Sequence, residues 1–74
     1  MARKLRAPWA EVRVAGRCVA VVEFGEYPPA VTTRKLSDLT PAQREEAADG
    51  LRQAFAANGY TLSHDESFAK LFGR

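Results

Sequence analysis

Cys18 and His64 are the only cysteine and the only histidine in the sequence. A cysteine reacts as its thiolate, which needs a nearby base or cation. Cys18 instead opens the run Cys18-Val19-Ala20-Val21-Val22, so it reads as a small buried apolar residue. A lone cysteine cannot form a disulfide within the chain. One cysteine and one histidine also fall short of the ligand set of a structural zinc. The densest polar cluster is His64-Asp65-Glu66, and a helix start accounts for it. Ser63 and Glu66 form a capping box, and Asp65 complements the helix dipole. Two acids adjacent on a helix do not converge on one reacting bond, so they offer no general acid–base pair. There is no glycine-rich phosphate loop and no Ser/His/Asp set in context. A chain of 74 residues has little volume with which to enclose a ligand pocket of roughly 300 Å³ or more. The expectation is a protein without catalysis, cofactor, metal or small-molecule ligand.

The elements that position these residues can be read from periodicity. Residues 9–15 alternate in character, as a half-buried strand does. Gly16-Arg17 suits a type II′ turn into a second strand over residues 18–24. That register sets Val14 opposite Val19 and Val12 opposite Val21 on one face. It sets Trp9 opposite Phe24 and Arg13 opposite Ala20 on the other. A turn at Ala15-Gly16 would keep the same faces. Pro28 and Pro29 break the pattern, and residues 30–36 read as a third strand at a sheet edge. Thr40-Pro41-Ala42-Gln43 is a capping box with proline at the first helical position. Ala47, Ala48, Leu51, Ala54 and Phe55 then form an apolar stripe. Gly50 marks a close approach or a tolerated cost of about 1 kcal/mol against alanine. Tyr60-Thr61-Leu62 reads as a short strand or a connector. A second, short helix follows over residues 64–72, with Phe68, Leu71 and Phe72 on one face.

The predicted fold is α+β: a three-stranded antiparallel sheet packed by one long helix, with a short C-terminal helix, in the order β-β-β-α-α. Its expected core is Val12, Val14, Val19, Val21, Leu51 and Phe55. Residues 1–7 read as a flexible basic arm and residues 8–74 as a single small domain. Domains this small have thin stability, so self-association into a homodimer is one way to gain more. No apolar run approaches the length of a membrane span of about 20 residues. No signal-peptide core follows the basic start, so a cytoplasmic location and no membrane partner are expected. Isoleucine is absent and arginine outnumbers lysine eight to three, as in GC-rich bacterial or phage genomes.

Two surfaces remain for function. The first is the expected outer face of the hairpin with the terminal helix: Trp9, Glu11, Arg13, Val22, Phe24, Phe68, Leu71 and Phe72. The terminal helix is expected either to cover Trp9, Val22 and Phe24 at home or to dock on another chain. The second is basic: Arg3, Lys4 and Arg6 on the arm, with Arg13, Arg17, Arg34 and Lys35 at the sheet. Residues 1–35 hold seven basic and three acidic side chains, a net of +4. Residues 36–74 hold four and six, a net of −2, giving +2 overall. The chain is polarised rather than strongly basic.

Trp9-Ala10-Glu11-Val12-Arg13-Val14 with Gly16-Arg17 resembles the first hairpin of integrase-arm and plant AP2-type DNA-binding domains. The likeness is confined to that hairpin and implies strand residues facing a DNA groove. The Pro-Pro segment and the acidic helix depart from it, and membership of the family is not inferred. The favoured expectation is a small accessory or regulatory protein acting by protein–protein binding. The alternative is a small nucleic-acid-binding protein using the basic arm and sheet.

Overall fold

The computed structural model describes residues 9–25 and 27–73. The expected basic arm, with Arg3, Lys4 and Arg6, lies outside the described residues. Three strands, β1 (Trp9–Val14), β2 (Arg17–Glu23) and β3 (Ala30–Thr33), form an antiparallel sheet in the order β1-β2-β3. A 3₁₀ turn at Leu36–Asp38 leads to α1 (Pro41–Ala57), and α2 (His64–Phe72) closes the chain. The predicted α+β fold and its β-β-β-α-α order are therefore those of the structure. Residues 60–63 form a connector and not a strand.

The hairpin differs from the expected one in a way that redirects the core. The turn is Ala15-Gly16, with φ of 53° and 77°. Positive φ at both central positions is the type I′ geometry that matches strand twist. Val14 pairs with Arg17 and Arg13 with Cys18, but Val12 pairs with Ala20. Val19 is thus the extra residue of a β-bulge. A bulge shifts the period-two alternation by one residue. Val22 is fully buried and Phe24 is 8% exposed, so both belong to the core rather than to the outer face. Val21 is only half buried and pairs with Glu11 outside. The carbonyl of Val19 accepts from the Arg34 N–H at 2.9 Å, so the bulge leaves no orphaned group there.

Both helices begin as expected. Thr40 Oγ1 accepts from the Gln43 N–H at 3.2 Å, and Gln43 Oε1 accepts from the Thr40 N–H at 3.0 Å. Ser63 and Glu66 repeat the arrangement at 3.1 and 2.9 Å. The apolar stripe of α1 buries Ala47, Ala48, Leu51 and Phe55 against Val12, Val14, Val19, Ala20 and Val22. Phe24 meets the Phe55 ring edge-on at 5.5 Å.

α2 does not cover the hairpin's outer face. It packs along α1 and reaches β3. Leu71 is 5% exposed, and Ser67 is fully buried with its hydroxyl donating to the Ser63 carbonyl at 2.9 Å. The Phe68 and Phe72 rings meet at 4.6 Å, tilted by 45°, and are half buried against the same core. Among the described residues, the sheet therefore has both helices on one face and none on the other.

Candidate functional site

The helix-free face is built by alternation from the three strands. β1 contributes Trp9, Glu11 and Arg13. β2 contributes Cys18, Val21 and Glu23, which pair with them. β3 adds Thr32 opposite Val21 and Ala30 opposite Glu23. Trp9 is 60% exposed. Exposed tryptophan beside half-buried valine is the composition of an interface centre more than of a solvated sheet. Cys18 is half buried on this face, not enclosed as expected; its Sγ stands 3.4 Å from the Ala20 carbonyl oxygen.

The charges of this face are mixed, two acidic and one basic among the described residues. Glu11 lies 2.9 Å from Arg13 in an ion pair along the strand, and Glu23 faces outward with no ion pair among the described residues. Arg13 also donates to the Gly16 carbonyl at 3.1 Å, which holds it against the turn. Arg17 turns instead to Asp38 at 3.6 Å. Exposed pairs of this kind add little stability, about 0–1 kcal/mol, yet they neutralise the basic residues locally. Arg34 and Lys35 follow β3 and are exposed. Of the described residues of the expected basic surface, Arg13 and Arg17 are thus paired with carboxylates.

Of the expected contact residues, Trp9, Glu11 and Arg13 share the open face. Val22, Phe24 and Leu71 are consumed by the chain's own core, and Phe68 and Phe72 flank it on the opposite side of the sheet. Alternation pointed to the three residues of β1. The bulge carries no signal in a run of five apolar residues, so it hid the contribution of Val21.

Three features escaped the sequence reading. His64 Nε2 and Glu45 Oε1 meet at 2.6 Å and tie the start of α2 to α1. Tyr27 is 82% exposed and stacks on Tyr60 at 6.1 Å, beside a shallow groove of about 260 Å³ lined by Pro28, Pro29 and Leu62. A larger groove, open rather than enclosed, lies beside β3 and α2. Two carboxylates are held below their ordinary range. Asp49 is lowered chiefly by the hydrogen bond from Arg52, and Glu66 by the backbone N–H of Ser63. Both effects are structural: one staples α1 and the other caps α2.

Among the described residues, no three acidic, histidine or cysteine side chains group to hold a metal, and no helix is long and apolar enough to cross a membrane. No protein-family model matches the chain, and neither a curated protein nor a solved structure is significantly similar to it.

Proposed function

We propose that this chain is a small binding module of accessory or regulatory type, without catalysis of its own, that engages a protein partner through the open face of its sheet. The observation that carries this reading is the placement of both helices on one face, with Trp9 standing 60% exposed on the other. A surface centred on tryptophan and valine, with one ion pair and a further carboxylate at its rim, favours a protein over a polyanion. Nucleic-acid affinity is dominated by cations free to displace counterions. Here Arg13 is tied to Glu11 and Arg17 to Asp38, and Glu23 would face the phosphates.

The test is affinity capture with and without nuclease, comparing the native chain with a Trp9→Ser/Val21→Ser variant. Neither side chain belongs to the core, so the variant should melt as the native protein does. The expected result is a nuclease-resistant partner, or a second copy detected by sedimentation, that the variant loses. Nuclease-sensitive capture, or a partner held equally by the variant, would overturn the proposal.

A further inference from the structure

We propose that a second site lies on the other side of the molecule: the groove between β3 and the C-terminal turn of α2 binds an extended acidic peptide. This inference stands apart from the open face, and either can fail without the other.

The groove has a volume of about 470 Å³, within the range of functional ligand sites. Its apolar surface comes from Val31, Leu36 and Leu71, and hydroxyls come from Thr33 and Ser37. Two cations line it, Arg44 from α1 and Lys70 from α2, and no carboxylate does among the described residues. Neither cation forms an ion pair among the described residues. The Arg44 guanidinium sits 5.7 Å from the centre of the Phe72 ring, which orients it. Its Nε is buried and has no hydrogen-bond acceptor among the described residues. A buried N–H without a partner is uncommon and asks for an explanation. An anion drawn to the same guanidinium would offset the cost electrostatically through the terminal nitrogens. Two cations from separate helices, on a groove with no carboxylate among its described lining residues, are complementary to carboxylates.

The shape favours a peptide over a compact anion. β3 pairs only with β2, so its outer backbone edge has no strand partner among the described residues. An extended segment can add to such an edge by main-chain hydrogen bonds while alternate side chains enter the adjoining groove. Val31 and Thr33, two residues apart on β3, line that groove. The period-two spacing of an added strand would send every second side chain toward Arg44 and Lys70.

The experiment uses the full chain and a fluorescent decapeptide of alternating valine and glutamate. Controls are the same peptide with glutamine for glutamate and a single-stranded oligonucleotide of equal charge. The expected result is saturable, salt-sensitive binding of the glutamate peptide, about ten-fold weaker for the glutamine peptide. Arg44→Gln and Lys70→Gln should each weaken it several-fold, and bound peptide should slow hydrogen exchange in β3. Lys70 is exposed, so its variant should keep the native melting curve, and the loss of binding is read on folded protein. The proposal is overturned by no saturable binding at millimolar peptide or by equal affinity for the glutamine peptide. Equal competition by the oligonucleotide, or indifference to Lys70→Gln, would overturn it as well.

Discussion

Gly50 lies so close beneath Val12 that a Cβ on it would stand 3.1 Å from the Val12 Cγ1. This contact is where α1 rests on β1, and it settles why glycine interrupts an otherwise alanine-rich helix. Gly50→Ala should gain about 1 kcal/mol in helix propensity. It should lose about 1–3 kcal/mol to overpacking, because Val12 is buried and β-branched and has little freedom to turn away. The expected net effect is neutral to destabilising by urea denaturation. In a Val12→Ala background the same substitution should become stabilising by about 1 kcal/mol. Equal effects in both backgrounds would mean that the helix can lift off β1 freely.

The bulge at Val19 gives an opposed pair of predictions at adjacent positions. Val22→Asp places an unpaired charge in the core and should cost at least about 3–5 kcal/mol, enough to unfold a domain of this size. Val21→Asp faces outward opposite Glu11 and should cost about 1–2 kcal/mol, through strand propensity and like-charge repulsion, without unfolding the domain. Circular dichroism of the two variants reads the result directly. The reverse order would restore the unbulged hairpin.

Much of the fold was legible because its signals are local. Thr40 with Gln43, and Ser63 with Glu66, announce helix starts through side chains that serve their own backbone. The alternation of Trp9 to Val14 fixes the faces of β1. β2 was misread because Cys18 to Val22 is apolar throughout, so no polar residue marks where the alternation slips. The docking of α2 was illegible for a different reason. Its buried side includes Ser67, a small polar residue that satisfies its hydroxyl on the Ser63 carbonyl and so can be fully buried. Sequence patterns count such a residue as surface. The groove with Arg44 and Lys70 needed the two helices placed side by side.

Acid should weaken the cap of α2 in a defined direction. The folded-state value of Glu66 is depressed below its ordinary 4.5, first by the Ser63 N–H and then by the Ser63 hydroxyl. A depressed carboxylate stabilises the fold above its unfolded value, and that contribution disappears as pH falls through the folded value. The melting temperature should therefore decline below pH 4.5. Glu66→Gln keeps an acceptor for the Ser63 N–H but cannot titrate. Its melting temperature should fall less steeply over the same range, measured by thermal scans at constant ionic strength. Parallel curves would assign the acid sensitivity to other carboxylates.

Deleting the chain after Ser63 separates folding from association. α2 has nine residues, too few to hold helical form alone, since isolated helices below about 12–15 residues are marginal in water. Its buried residues are Ser67 and Leu71, it packs against α1 and β3, and its removal would open part of the shared core to water. The truncated chain should lose cooperative melting. Leu71→Ala, which keeps the helix but leaves a cavity, should cost about 2–5 kcal/mol. The open face is on the other side of the sheet, so Leu71→Ala should retain any partner captured through Trp9 wherever the variant remains folded. Trp9→Ser should do the opposite, keeping the native melting curve and losing the partner. A truncated protein that melts sharply at the native temperature would detach α2 from the core. Loss of the partner in folded Leu71→Ala would move the contact from the sheet to the helices.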